Sequence, residues 1–462
     1  MKPPADFWRS GRGFEWLFAA GVVASVIYTI WYLLTYYYLP PPYFYEPSDI
    51  YADWFNTAYW ARDPGTYDVW TTLYPPLSFV MLRVVGLEQC YPRVRAYESS
   101  PGLAVRDCDW LGVAGIWGFW LASVVIMYLA LRKWDKSRAI PRTICVGLGW
   151  PLLNGIERGN LILMAFPFFL LATMPLLKST KWRWFFAGMA VNLKVYLIAP
   201  LLTPLFKRRW RWVEGAMLGV VMVYLVSFAI LGRGTPFEIL RNITSWSNKE
   251  FENILDFWPA TTYQGLRSVL TNENATVPIG LLIGSRMVEY TVLFIDVLLR
   301  VTQAFLLVAF AAAWLRPEVV TRYRLYLLGI LIALVTSEAG GYTPVFMMAL
   351  LMMEPWKGFG RIFSICACYL LALSADIKLE EMMELTRTTY YRDSQVISAT
   401  YLTVWPFVRP LLIQAVAIAM SCVTIREVWM DVRFQGWASR WRFRGDAPML
   451  PGIKHPTPPG QG

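Results

Sequence analysis

Long apolar runs separated by short polar turns organise this chain. They fall at about residues 15–39, 110–131, 143–157, 160–177, 183–206, 214–232, 288–315, 323–353, 360–376 and 402–425. Runs this long and this poor in charge predict helices that cross a membrane, because a helix satisfies its own backbone polar groups in lipid. Two of the runs read as hairpins. Residues 183–206 carry Asn192 and Lys194 at their middle and basic residues at both ends, and residues 323–353 carry the Gly/Pro turn SEAGGYTP (337–344) at theirs. Counting each hairpin as two spans predicts about twelve transmembrane helices, in an all-α polytopic membrane protein. The intervals 40–109 and 234–287 become two large loops on one side of the membrane. The first run is too long for a secretory signal and no small-residue cleavage site follows it, so it is expected to remain as the first span.

Composition agrees with that pattern. The chain is 56% hydrophobic, with mean hydropathy +0.40, too apolar to cover itself with polar surface in water. Its formal net charge of +11 is first a statement of topology, since basic residues stay on the cytoplasmic side. With Lys2, Arg9 and Arg12 inside, the inner loops 132–142, 178–183, 207–211, 316–324 and 357–361 and the tail from Arg426 are all net basic, whereas 40–109 is net acidic. Both termini are then cytoplasmic and the large loops extracytoplasmic. Nucleic-acid binding is disfavoured, because the basic residues are spread over short loops rather than gathered in a patch. One transmembrane domain is expected over 1–430. The tail 431–462 ends in MLPGIKHPTPPGQG, and its Pro/Gly content predicts disorder.

The only histidine, His455, lies in that tail, which excludes a His base or His metal ligands. Cys145, Cys366, Cys368 and Cys422 lie in apolar runs and are expected in the core. Cys90 and Cys108 share the first outer loop and are the disulfide candidates. Their spacing does not suggest zinc, and no metal or other cofactor is expected.

The unusual polar residues of the apolar runs fall on the outer side. Residues 48–56 (SDIYADWFN) place Asp49 and Asp53 four apart, on one face if the stretch is helical, among the interface-favouring aromatics Tyr43, Phe44, Tyr45, Tyr51 and Trp54. They read either as interface carboxylates capping a helix after Ser48, as a divalent-cation pair, or as reactive acids. GIERGN (155–160) holds Glu157, Arg158 and Asn160, either as a capped, salt-bridged turn or with Arg158 as a phosphate fork. Lys194 lies far from the basic ends of its hairpin. A charge at a helix centre costs about 2.5–3.5 kcal/mol to insert, so it either snorkels to lipid phosphate or serves an anionic ligand. YPPLSF (74–79) fixes an extended entry into a short helix beside Asp49.

Taken in order, DIYADWFN, Gly65 and Tyr67, YPPL, ERGN and the mid-membrane lysine of NLKVY resemble the membrane glycosyltransferases of the GT-C superfamily. They are most similar to glycosyltransferase family 87, which includes the mycobacterial polyprenol-phosphate-mannose mannosyltransferases. The motifs cover roughly residues 45–210; beyond them the likeness rests on hydropathy. The resemblance implies a GT-C-like fold and a general base at Asp49, with Asp53 as alternative base or acceptor-positioning group. It implies Arg158 and Lys194 at the donor phosphate, and Glu157, Asn160, Tyr74 and Glu338 as substrate-positioning residues. Two departures bear on the acceptor side: Pro200 stands six residues after Lys194, and the late hairpin lacks a histidine.

The implied reaction moves a sugar, mannose-like or other, from a polyprenyl monophosphate to a glycolipid or glycan acceptor at the outer face of a membrane, expected to be a bacterial inner membrane with the site facing the periplasm. One base opposite a phosphate leaving group predicts inversion. Trp54, Trp246 and Trp258 either stack on sugars or anchor loops, with anchoring expected for most. The competing reading is a transporter or flippase of lipid-linked sugars or anions, which would spread charges through the membrane depth and show an internal repeat.

Overall fold

The structure is a computed structural model and describes residues 10–92, 100–247, 254–272, 280, 283–336, 339–392 and 394–436. α1 (Arg12–Tyr36) leads through an extended segment to α2 (Ala52–Trp60) and α3 (Pro76–Val84). α4 (Trp110–Trp134) precedes α5 (Ala139–Gly147), α6 (Trp150–Arg158), α7 (Ile162–Thr173) and α8 (Thr180–Val191). The chain continues through α9 (Ile198–Leu202), α10 (Trp210–Leu231), α11 (Pro236–Ser247), α12 (Gln264–Thr271), α13 (Ser285–Leu315), α14 (Arg322–Thr336), α15 (Val345–Leu351) and α16 (Phe359–Leu371). Strands β1 (Lys378–Thr389) and β2 (Ser394–Thr403) pair antiparallel before α17 (Trp405–Gln435).

Among the described residues five helices, α1, α4, α10, α13 and α17, are long and apolar enough to cross a membrane. They carry exposed apolar residues such as Leu34, Leu121, Ile230 and Leu307. Water would not tolerate such a belt on a monomer; lipid does, and the chain is a membrane protein. The short helices fill the interior. All of α15 is buried, as is nearly all of α7. Small residues permit the closest packing: a Cβ on Gly188 of α8 would lie 2.4 Å from the Gly219 carbonyl of α10, so these backbones touch directly.

The remaining apolar runs differ from the expected twelve continuous spans. Residues 143–157 divide at Gly149 into α5 and α6, whereas 323–353 forms two helices as expected, α14 and the buried α15, the latter too short to span a membrane. Proline near the start of α6 cannot supply the hydrogen bond that would continue α5. The fold is also not purely α. The segment after α16 is a two-stranded β-hairpin, in which β1 carries Glu380, Glu381, Glu384 and Arg387 and β2 carries the β-branched Val396, Ile397, Thr400 and Thr403, residues suited to a half-exposed ladder. α17 runs to Gln435, past the expected tail boundary. Cys422, expected in the core, is exposed, whereas Cys145 and Cys368 are buried.

Charge is not confined to the end of the bundle that holds Asp49. At the opposite end, Glu15 of α1 accepts from Arg142 of α5 through both oxygens, at 2.8 and 2.9 Å. Arg142 also donates to the Glu354 carbonyl at 2.9 Å. Glu354 in turn binds Arg324 and Arg361, and both arginines reach Glu427 of α17. Each guanidinium meets a carboxylate, so this buried network ties the helices without leaving an uncompensated charge.

Candidate active site

The site forms where the segment after α1 meets the end of α6. Asp49 and Asp53 do not share a helix. α2 begins only at Ala52, and Tyr51 before it takes a left-handed backbone with φ 62°. The Tyr51 N–H donates to the Glu157 carbonyl at 2.7 Å, and its ring meets Tyr390 edge-on at 5.7 Å. This bend carries the two acids onto one guanidinium. Arg158 donates to Asp49 Oδ2 at 2.8 Å and to Asp53 Oδ1 at 3.2 Å. Asn160 donates to Asp53 Oδ2 at 2.6 Å, while its own oxygen accepts the Ile162 N–H at 3.1 Å. Both oxygens of Asp53 are therefore engaged. Asp49 uses one, and among the described residues its Oδ1 accepts no hydrogen bond.

The ERGN turn reaches the acids because of Gly159. Its φ is +62°, and a Cβ there would sit 2.8 Å from Trp54 Cβ and 3.0 Å from Tyr51 Cα. Gly159→Ala should therefore cost about 2 kcal/mol in backbone strain and contact. The expected result is a lower melting temperature in detergent, measured by intrinsic fluorescence; an unchanged value would mean that the turn can move off α2.

Lys194 lies in the turn after α8, outside the long helices, and is buried. Its ammonium stands 4.8 Å from the Tyr74 ring centroid and 5.4 Å from that of Tyr342. Among the described residues it has no ion-pair partner. Burial pulls its pKa down to about 8, against the raising effect of the nearby Asp53. Tyr74 is placed by Tyr67, whose hydroxyl donates to the Tyr74 carbonyl at 2.8 Å.

The long segment between α1 and α4 is braced from several sides. Cys90 and Cys108 form a disulfide with Cα atoms 5.7 Å apart. Asp109 next to it accepts from the Tyr91 hydroxyl, the Leu87 N–H and the Gly112 N–H at the start of α4. Arg106 donates to the Ser48 and Ile50 carbonyls at 2.8 and 2.7 Å, and Arg387 of β1 pairs with Glu46 at 3.2 Å. Two donors from separate segments thus hold the backbone on either side of Asp49.

Of the expected site residues, Asp49, Asp53, Arg158, Asn160, Lys194 and Tyr74 come together. Among the described residues the Glu157 side chain makes no hydrogen bond to these groups; it is buried, accepts from Asn154 at 2.8 Å, and lies near enough to Arg158 to feel its charge, while its backbone carbonyl accepts from Tyr51. Glu338 lies outside the described residues. Trp54 is fully buried against Phe119 and cannot stack on a sugar, and Trp246 is exposed on α11. Asn242, which opens an Asn-Ile-Thr sequence of the kind that N-glycosylation requires, is buried and donates to the Tyr67 and Thr72 carbonyls, so it is no glycan acceptor. Sequence reasoning missed Tyr342; the only signal was its place after the Gly340-Gly341 turn. Phe44, read from the sequence only as an interface aromatic, has Arg158 over its ring at 4.6 Å. Among the described residues no group of three or more His, Cys, Asp or Glu side chains is placed to hold a metal ion.

A model of glycosyltransferase family 87 matches residues 73–337, more than half of the chain. The chain belongs to glycosyltransferase family 87. Tyr74, Arg158, Asn160 and Lys194 lie inside the matched region. Asp49 and Asp53 precede it, and they join this family 87 site by geometry alone. Compared with the curated proteins and with the solved structures, the chain matches none.

Proposed function

We propose that this glycosyltransferase transfers a sugar from a polyprenyl monophosphate to a hydroxyl of a glycolipid or glycan, with inversion, at the periplasmic face of a bacterial inner membrane, both chain termini being cytoplasmic. The observation that carries this reading is a buried lysine that has no carboxylate partner among the described residues, beside an acid pair already held by an arginine. Lys194 supplies the positive charge for the donor phosphate. Arg158 is shared: it orients the acids and lies at the edge of the same phosphate.

The acceptor oxygen attacks the anomeric carbon as the bond from that carbon to the phosphate oxygen breaks. Asp49 Oδ1 takes the hydroxyl proton, and the departing polyprenyl phosphate keeps the bonding electron pair. The negative charge gained by the phosphate is stabilised by Lys194, where low dielectric strengthens the attraction. Asp53 holds the cluster in register. Three of the four carboxylate oxygens of the pair are bound by Arg158 and Asn160, which supports a reaction independent of divalent metal. A transporter does not account for the family or for a polarised acid beside a cation that has no ion-pair partner among the described residues.

The test is transfer from a panel of radiolabelled polyprenyl-phosphate sugars and nucleotide sugars to membrane glycolipid extract by the purified protein. Transfer from a polyprenyl-phosphate sugar, unchanged by EDTA and giving the opposite anomer, is expected. Transfer only from a nucleotide sugar, or its loss with EDTA, would overturn the donor assignment.

A further inference from the structure

A residue far along the chain reaches both sides of Asp49. Tyr390 follows β1 at the turn of the β-hairpin. Its backbone N–H donates to the Pro47 carbonyl at 3.3 Å. Its ring meets that of Tyr51 edge-on at 5.7 Å, and the Arg106 guanidinium lies over the same ring, 4.1 Å from its centroid. Arg106 in turn donates to the Ser48 and Ile50 carbonyls. Residues 47, 48, 50 and 51 are therefore held by Tyr390 directly or through one guanidinium. The hairpin is itself fastened at this place. The Thr389 hydroxyl donates to the Tyr37 carbonyl just beyond α1, Arg392 lies over the Tyr37 ring at 4.6 Å, and Arg387 pairs with Glu46. Thr389 is the one buried position of β1.

We propose that Tyr390 is a positioning residue for the transfer reaction: through Pro47, Tyr51 and Arg106 it sets where Asp49 stands against the acceptor hydroxyl. The inference rests on the proposed role of Asp49 as base and adds to it an element from the other end of the chain. The bend at Tyr51 is what brings the two acids onto Arg158, and its φ of 62° is disfavoured for a residue with a side chain. Such a backbone persists only where its surroundings over-determine it. Tyr390 supplies part of that constraint with its ring, edge-to-face against Tyr51 and by cation–π contact with Arg106. These contacts use the ring and the backbone N–H, and the phenol oxygen takes no part in them. A base displaced by a fraction of an ångström to an ångström loses its attack geometry, so the effect falls on kcat rather than on donor binding. A hairpin that merely covered the fold would instead act on stability, and would lower the rate whether or not Asp49 were present.

The experiment compares Tyr390→Ala, Tyr390→Leu and Tyr390→Phe in the full chain in detergent, each alone and combined with Asp49→Asn. Single-turnover transfer, donor KM and hydrogen–deuterium exchange of peptides spanning residues 45–56 are measured. The amides of Asp49, Tyr51 and Ala52 are hydrogen-bonded, so exchange reports whether the segment is still held. Tyr390→Ala and Tyr390→Leu should lower kcat about 10- to 100-fold with donor KM within a few-fold, and should speed exchange in this segment. Tyr390→Phe keeps the ring and should restore most of the rate and the protection. In the Asp49→Asn background, Tyr390→Ala should change the residual rate by less than about twofold, because its effect runs through the missing carboxylate. Unchanged exchange in Tyr390→Ala overturns the inference. So does a loss in the Asp49→Asn background as large as in the wild type, or a Tyr390→Phe as impaired as Tyr390→Ala. Full activity of Asp49→Asn alone marks failure of the base assignment, which takes this positioning role with it. An impaired Asp49→Asn with a multiplied loss marks failure of the positioning role alone.

Discussion

Asp49→Asn is expected to lower kcat by about 10²–10⁴-fold, the usual contribution of a positioned general base, while leaving the KM for the donor within a few-fold. Asparagine keeps the size of aspartate and an oxygen that can accept from Arg158, so the cluster should retain its shape. What it loses is a group able to take a proton. Asp53→Asn should cost less. Both Asp53 oxygens are already spent on Arg158 and Asn160, so its loss disturbs position rather than proton transfer. Single-turnover transfer with saturating donor separates the two, and melting temperatures control for folding. A larger loss at Asp53 than at Asp49 would make Asp53 the base. Full activity in Asp49→Asn would remove general-base catalysis by this group altogether.

Lys194→Met should reduce kcat by about 10²–10³-fold, the scale for removing one preorganised stabiliser of developing charge. Methionine fills the space between Tyr74 and Tyr342 without a charge. Lys194→Arg should not rescue it, since a planar guanidinium is longer and wider than the ammonium that these two rings enclose. The pH profile carries the same signature. With a pKa of about 8, Lys194 is cationic below that pH and neutral above it. Donor kcat/KM, which reports the free enzyme, should therefore fall as pH rises through about 8. A bound phosphate favours the charged lysine, so kcat should persist to higher pH. In Lys194→Met the alkaline limb should vanish from the residual activity. A limb that survives the substitution belongs to another group, and the role given to Lys194 would then be wrong.

The two assignments depend on each other through Arg158. A guanidinium bound to two carboxylates has less attraction left for an incoming phosphate than an unpaired ammonium. This makes Lys194 the principal phosphate cation and Arg158 the group that keeps two acids close without mutual repulsion.

Much of this was legible in the order of residues. Runs of apolar side chains must leave water, so a membrane protein followed from hydropathy alone. The charges of Asp49, Asp53, Arg158 and Lys194 stood out because burying a charge is costly and needs a reason. Cys90 and Cys108 stood out because they share one loop. Tertiary structure decided what local pattern could not. It divided the run 143–157 at Gly149 and folded residues 378–403 into a hairpin, choices that depend on neighbouring surfaces rather than on hydropathy. It showed a second buried charge network around Glu354, whose members look like ordinary loop charges along the chain. It placed Asp49 before a helix rather than on it, through the left-handed turn at Tyr51. And it told two similar carboxylates apart, because the donors that fill both oxygens of Asp53 and leave one of Asp49 come from residues more than a hundred positions away, a distance that only folding removes.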